Sequence, residues 1–342
     1  MNMILNDRVL DDEEVPEREL VVHRRDELEE VLEEYQLSAE QKSARNLFIT
    51  GPTGTGKTML ARLSLRLIQD RTGARTGYVD CWQNYKRADI LYAIGDSLLE
   101  TPVHPDTTSL DTVISKLQEE PGQYRHLVLD EADQIDDPDL LRDLHSCPHL
   151  QLILIAHTEE DMWATVPGHI QSRVSAGPLL TQDSYDASQL ADVLEQRADH
   201  GLHPSTITRK QLERIAAAAD GDARIAITTL RVAVQSGNRD ENARSVQNEH
   251  IEAAIPQANE EIHNRSLDRL NDDQQTLYEI ICDQAPIAPG ELYDAYRDRV
   301  DDARVERTLR GYMTKLEHYR VVTSIGSGKA KRFHPGNADL GD

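Results

Sequence analysis

The spacing of apolar positions changes character twice along the 342 residues. In residues 21–35, Leu28, Val31, Leu32 and Tyr35 recur at helical spacing and predict an amphipathic helix. Residues 45–50 are a short apolar run that stops at a glycine-rich stretch, which predicts a buried strand. Leu60, Leu63, Leu67 and Ile68 then predict a helix over 58–72, and 77–81 is a second short strand. Residues 89–99 and 110–120 have helical spacing, 126–129 is a strand that ends in acids, and 150–156 is another strand. Apolar strands separated by helices, without strict alternation, predict a parallel sheet covered on both faces, an α/β fold.

Beyond Pro178 the pattern is helical only. Segments 187–200, 208–219, 223–236 and 248–258 predict a small all-α bundle. The polar stretch 256–265 reads as a linker. A third unit follows, with helices at 272–283, 289–299 and 302–318 and a hairpin of strands 320–324 and 331–334 around Ile325-Gly326-Ser327-Gly328-Lys329. Three domains are expected: 1–180, 181–260 and 261–342.

The glycine-rich stretch carries the sharpest chemistry. Gly51-Pro52-Thr53-Gly54-Thr55-Gly56-Lys57-Thr58 fills GxxxxGK[ST] in full, between a predicted strand and a predicted helix. Such glycines let backbone N–H groups turn inward around phosphates, and the helix N-terminus adds partial positive charge. Lys57 then reaches the β- and γ-phosphates, and Thr58 offers its hydroxyl to Mg²⁺. About 70 residues on, Leu127-Val128-Leu129 delivers Asp130 and Glu131. Asp130 suits the Mg²⁺ shell, and Glu131 the orienting of a water. His157, at the end of the next strand, lies either between those acids and the γ-phosphate or at a solvated strand end. Arg173 follows a helical turn, and is either an arginine finger for a neighbouring subunit or a surface charge. Arg224, opening a bundle helix in Gly221-Asp222-Ala223-Arg224, either swings onto the γ-phosphate or sits in a salt bridge.

Composition then limits the partners. No run of about 18 apolar residues predicts a membrane span, and the acidic start is not a secretory leader. Cys81, Cys147 and Cys282 lie far apart and fit reduced thiols in a cytoplasmic protein. The net charge of −24 looks adverse to nucleic acid, but 29 arginines against eight lysines and 61 acids is also the balance of a salt-adapted surface. Residues 265–342 hold 12 basic and 14 acidic side chains, against 25 and 47 before them. In that last unit Val305, Leu309, Met313 and Leu316 share one helix face, with Arg304, Arg307, Arg310 and Lys315 largely off it. Lys329, Lys331 and Arg332 crowd the hairpin tip. A helix in the major groove with a wing on phosphates would use these residues on double-stranded DNA; the other reading is a protein-interaction module with a solvated charged helix.

Taken together, these motifs resemble an AAA+ ATPase, and the chain as a whole is similar to the archaeal origin-recognition and cell-division-control initiator family. The narrower likeness rests on Val15-Pro16-Glu17-Arg18-Glu19-Leu20 with His23-Arg24-Arg25-Asp26-Glu27-Leu28, on Tyr78-Val79-Asp80-Cys81, on Ser184-Tyr185-Asp186-Ala187-Ser188-Gln189-Leu190 with its helix, and on the C-terminal unit. It covers residues 15–334. The resemblance implies a P-loop AAA+ parallel sheet, an all-α lid and a C-terminal winged-helix domain, in a haloarchaeal paralogue. It implies ATP/ADP and Mg²⁺ as ligands, slow ATP hydrolysis as a switch, origin DNA and the replicative helicase as partners, and self-association or related initiator subunits. It places the protein in the cytoplasm at the nucleoid, off the membrane. Glu131, His157, Arg173 and Arg224 take the catalytic positions, with His157 where the family usually has Asn, so hydrolysis is expected to be slowed or altered. The family's DNA-touching insertion falls at 82–99, with Lys86 and Arg87. Two other functions share the motifs: an ATP-gated transcription or signalling regulator with a winged helix, and a partner-dependent ATPase of transposition or clamp-loader type.

Overall fold

In chain order the computed structural model runs α1 (Arg25–Gln41), β1 (Leu47–Thr50), α2 (Lys57–Thr72), β2 (Arg75–Asp80), α3 (Arg87–Leu98), α4 (Leu110–Gln118), β3 (Arg125–Asp130), α5 (Asp139–His145), β4 (Leu150–Ala156), α6 (Glu159–Trp163), α7 (Gly168–Val174) and β5 (Leu179–Thr181). Four further helices follow: α8 (Ala187–Gly201), α9 (Arg209–Ala218), α10 (Ala223–Arg239) and α11 (Asn248–Leu267). The chain ends in α12 (Asp272–Gln284), α13 (Pro289–Arg299), α14 (Glu306–His318) and the antiparallel pair β6 (Val322–Ile325) and β7 (Arg332–Pro335). The structure describes residues 2–41, 45–119 and 124–336; the expected helix end at residue 120 lies outside them. Contacts divide the chain into two units, Met1–Ala254 and Ile255–Asp342.

In the first unit five strands form one parallel sheet in the order β2-β3-β4-β1-β5. Side chains of a strand alternate between faces. Leu47, Ile49, Val128, Ile153 and Ile155 therefore pack with α1 and α2 in one core. Phe48, Leu127, Leu129, Leu152 and Leu154 join α3 to α7 in the other. Both faces are dry, which is why the strands read as unbroken apolar runs. The lid helices start on side-chain caps: Asp186 closes a capping box with Gln189, and Thr208 one with Gln211. The first residues of the chain strap onto this lid. Leu5 and Asn6 donate to Gly201 O, His203 donates to Met3 O, and Leu10 is fully buried.

In the second unit α12, α13 and α14 close over one core with the β6–β7 hairpin. Ile287 and Phe333 exchange both backbone hydrogen bonds, adding a third short strand contact. This is a winged-helix arrangement.

Four expectations change. The stretch 256–265 is helical, as part of α11, rather than irregular: Ala258 and Ile262 continue the buried spacing of Ile251 and Ala254 past Pro256. The region after Pro178 is not helical only: β5 adds to β1 as an edge strand of three residues, Leu-Leu-Thr, whose letters do not show the alternation of its burial. The last helix starts at Glu306 rather than 302, which leaves Arg304 before it. Val305 is its N-cap and 70 % exposed, so it does not lie on the apolar face.

One polar network is built into the otherwise apolar sheet. His126 and Gln151 face each other across β3 and β4, with Nδ1 3.0 Å from Oε1. Tyr35 packs on the His126 ring at 4.5 Å and shares a hydrogen bond with Ser64 at 3.0 Å, joining α1, α2 and the sheet. Burial outweighs the Gln151 hydrogen bond and holds the His126 pKa down to about 4, against an ordinary 6.5. The unfolded chain therefore binds this proton first on acidification. Stability is full above 6.5 and falls as pH drops toward 4, by roughly 3 kcal/mol at most. Urea melts of the wild type and of His126→Gln between pH 7 and 4.5 check this: part of the acid sensitivity is expected to vanish in the variant.

Candidate functional site

The loop between β1 and α2 is held at both ends. Gly51 N–H donates to His157 O at 2.9 Å, tying the loop's start to the end of β4. Gly54 and Gly56 have φ of 76° and 95°, in the left-handed region that side chains resist. A Cβ on Gly54 would also lie 2.0 Å from a carboxylate oxygen of Asp222. Pro52, Thr53 and Thr55 fill the rest of the turn, with the Thr55 hydroxyl donating to Pro52 O at 2.9 Å. Lys57 is buried, and its Nζ donates to Gly51 O at 2.7 Å and Pro52 O at 2.8 Å. Burial lowers its pKa to about 8; the nearby Asp130 carboxylate opposes that shift.

The acids arrive from the next strand but one. Thr58 Oγ1 donates to Asp130 Oδ2 at 2.6 Å, and Tyr78 OH donates to the same oxygen at 2.9 Å. Glu131 is buried, in a left-handed conformation with φ 54° that residues other than glycine adopt sparingly. Its N–H donates to Asp130 Oδ1 at 3.0 Å. Burial pushes the Asp133 carboxyl up, and Asp161 and Asp130 add to this. A hydroxyl, a carboxylate and a buried lysine at a glycine-rich loop that opens a helix suit a magnesium nucleotide: oxygen ligands for the cation, donors for the phosphates.

The lid closes over the same loop. Ala223 N–H donates to Gly54 O at 3.0 Å. Arg224 grips Asp222 with two nitrogens, Nε to Oδ1 at 3.2 Å and Nη2 to Oδ2 at 2.7 Å. Asp222 is 4 % exposed and caps α10 through Oδ1. Both groups act electrostatically on Lys57, which places them in one charged cluster. Of the two readings of Arg224, the structure contains the salt bridge, and contains it at the phosphate loop.

The leader supplies a residue whose role the motifs did not indicate. Arg24 is 6 % exposed. Its Nε donates to Thr55 O at 3.1 Å, its Nη2 to Asp183 O at 2.6 Å, and its guanidinium stacks 4.3 Å from the Tyr185 ring. It pins leader, phosphate loop and lid entry together. Only its place in the leader resemblance marked it; arginine in an acidic chain reads as surface by default. His157 is half-buried at the strand end, and its carbonyl is the acceptor for Gly51. Arg173 is exposed at the end of α7. In the 82–99 segment Lys86 is exposed, whereas Arg87 is bound to Asp137 at 3.1 Å and Asp143 at 2.6 Å, so only Lys86 offers its charge outward.

In the second unit the DNA candidates separate. Arg307, Arg310 and Lys329 are exposed. Arg310 pairs with Glu306 at 2.5 Å, Arg304 with Asp273 at 2.8 Å, and Lys331 with Glu317 at 3.0 Å. Arg332 donates to the carbonyls of Lys329 and Lys331. Lys315 departs from expectation: it is 2 % exposed, with its ammonium 5.2 Å over the Tyr319 ring. Its position on α14 is inward, so it offers no surface to a groove.

Residues 40–162 match the AAA domain family, and 191–256 match the Cdc6 AAA+ ATPase-type lid domain. The chain is 36 % identical over 333 residues to ORC1-type DNA replication protein 9 of Halobacterium salinarum, covering 97 % of this chain and 93 % of that one. It is 33 % identical over 310 residues to ORC1-type DNA replication protein 1 of the same organism, covering 90 % of this chain and 100 % of the relative. Its fold matches the Aeropyrum pernix ORC1 protein solved in complex with DNA, with a TM-score of 0.71 over 99 % of this chain and 95 % of that one at 23 % identity.

The depressed Lys57 has a measurable consequence. Phosphates restore the charged form, so nucleotide binding takes up a proton above pH 8, and affinity falls as pH rises further, approaching tenfold per pH unit. Calorimetry in buffers of different ionisation heat at pH 8.5 reads the uptake. Affinity flat from pH 7 to 9.5 would contradict it. Lys57→Ala is expected to lose micromolar ATP binding altogether.

Proposed function

Because this chain belongs to the ORC1-type DNA replication protein family, we propose that it is an ATP-switched replication initiator that binds origin DNA through its winged helix and helps load the replicative helicase. The observation that carries the reading is the meeting of Lys57, Thr58, Asp130 and the lid pair Asp222–Arg224 at one loop. A site built from both sheet and lid changes shape with what it holds, which is what a switch requires.

In this reading Gly51 to Thr58 and Asp130 hold ATP or ADP with Mg²⁺. The cation's chemistry is to draw charge off the phosphates; all else falls to the chain. Lys57 and Arg224 neutralise the phosphate oxygens. Glu131 orients the water, and His157 offers an imidazole N–H where an amide is usual in the family. Imidazole differs from amide in reach and protonation, which slows hydrolysis. Arg173, exposed on a short helix, serves a neighbouring subunit's site when chains associate. The domains act at 1–180, 181–260 and 261–342, in the cytoplasm at the nucleoid.

DNA is contacted by Arg307 and Arg310 on the recognition helix, by Arg304 just before it, and by Lys329, Lys331 and Arg332 on the wing. Lys315 is left out because it is buried. Lys86 in the segment before α3 is a second, minor contact. Chromatin footprinting across the genome tests the initiator role: peaks at origins are expected, and peaks confined to promoters would overturn it in favour of a transcription regulator. Arg307→Ala and Lys329→Ala are each expected to lower DNA affinity for all sequences and to reduce the salt slope by about one. Removal of 265–342 is expected to abolish specific binding; unchanged affinity would show that the reader lies elsewhere.

A further inference from the structure

The inward-facing end of α10 holds two opposite charges with a division of labour that the nucleotide-binding motifs do not supply. Asp222 is a buried carboxylate, and Arg224 occupies both of its oxygens, at 3.2 Å and 2.7 Å. The pair is pressed onto the phosphate loop: a Cβ on Gly54 would overlap Asp222 Oδ1, and Ala223 N–H donates to Gly54 O at 3.0 Å. Bidentate guanidinium–carboxylate pairs are strong and directional, and phosphate competes for the same fork. A phosphate that takes the Nε–Nη2 side of Arg224 therefore has to displace Asp222.

We propose that Asp222 is a latch on Arg224, a positioning residue that sets how strongly the protein prefers ATP to ADP. This rests on the reading of Arg224 as a γ-phosphate contact. An incoming γ-phosphate must take Arg224 from Asp222, so part of its binding free energy goes into opening the latch. ADP has no γ-phosphate and leaves the latch closed. Weakening the latch accordingly tightens ATP and leaves ADP nearly as it was. Burial works against the charged carboxylate, and Arg224 together with the backbone N–H groups of Arg224 and Ile225 more than offsets it, holding the Asp222 carboxyl below the usual range. The latch is therefore closed across the neutral pH range.

Asp222→Asn removes the charge but keeps an oxygen for the Arg224 N–H at the helix cap, where Asn and Asp serve equally. Asp222→Ser is the second variant, capping without a long side chain. The measurement is the affinity for Mg–ATP and Mg–ADP by calorimetry on the full chain, in wild type, Asp222→Asn, Asp222→Ser, Arg224→Ala and the Asp222→Asn, Arg224→Ala double variant. The expected result is a fivefold to tenfold gain in the ATP-to-ADP affinity ratio for Asp222→Asn, with ADP changed less than twofold. Arg224→Ala alone lowers the ratio, and in its presence Asp222→Asn has no further effect on it. An unchanged ratio in both Asp222 variants, with Arg224→Ala still lowering it, overturns the latch and leaves the Arg224 contact standing. An equal gain from Asp222→Asn with and without Arg224 also overturns it, since that is loss of a repelling charge and not release of an arginine. A ratio unmoved by Arg224→Ala overturns the γ-phosphate reading itself.

Discussion

Parallel strands all end at the same edge of their sheet, and that constraint assembles the site. The loop after β1, the acids after β3 and His157 after β4 are far apart in the chain but emerge side by side. The Gly51–His157 backbone bond and the Thr58–Asp130 bond then follow from neighbourhood. Register is locked because both faces are buried. A slip of one residue in β1 would exchange Phe48 with Leu47 and Ile49 between two different cores. The angstrom-scale geometry around Lys57 is thus inherited from packing on the far sides of the sheet.

A second layer of order comes from buried arginines. Arg24 and Arg197 are 6 % and 7 % exposed in a chain with 61 carboxylates, yet their short bonds go largely to carbonyls. Arg24 takes Thr55 O and Asp183 O, and Arg197 takes Val9 O and Asp11 O at 2.6 Å and 3.0 Å. A guanidinium presents several donors in a fixed fork, so one side chain can fasten two strands of backbone. These two fasten the leader to the phosphate loop and to the lid. The lid is therefore held to the sheet domain by a strap as well as by its own connection.

How much of this was legible depends on the range of the interaction. The strands β1, β3 and β4, the loop 51–58 and the pair Asp130–Glu131 were readable because apolar runs and glycine spacing are local signals. Residues 150–156 were delimited to the residue. The continuation of α11 from 258 to Leu267 was not, because polarity there masked the helical spacing of Ile251, Ala254, Ala258 and Ile262. Arg24 was visible as a letter in a motif but not as a clamp, since Thr55 and Asp183 lie in other elements; the Asp222–Arg224 pair is local, but its place against Gly54 is not. Lys315 was misplaced for the converse reason: a lysine stem can follow the apolar face inward while its charge finds an aromatic ring.

Net charge is a poor guide to what such a surface can hold. Of the cations proposed to meet DNA, Arg304, Arg310 and Lys331 already have carboxylate partners in Asp273, Glu306 and Glu317. The Arg310–Glu306 pair is exposed and adds little stability, so parting it costs little; the Arg304–Asp273 and Lys331–Glu317 pairs are half-buried and hold more firmly. A phosphate offers the same arginine an equally good acceptor, and the exchange leaves a carboxylate beside the duplex. The local balance of 12 basic to 14 acidic residues in 265–342 then matters less than which carboxylates let go. In strong salt the released carboxylate is screened within a few ångströms. The acidity that looked adverse to a nucleic-acid partner is therefore tolerable in the medium to which this composition is suited.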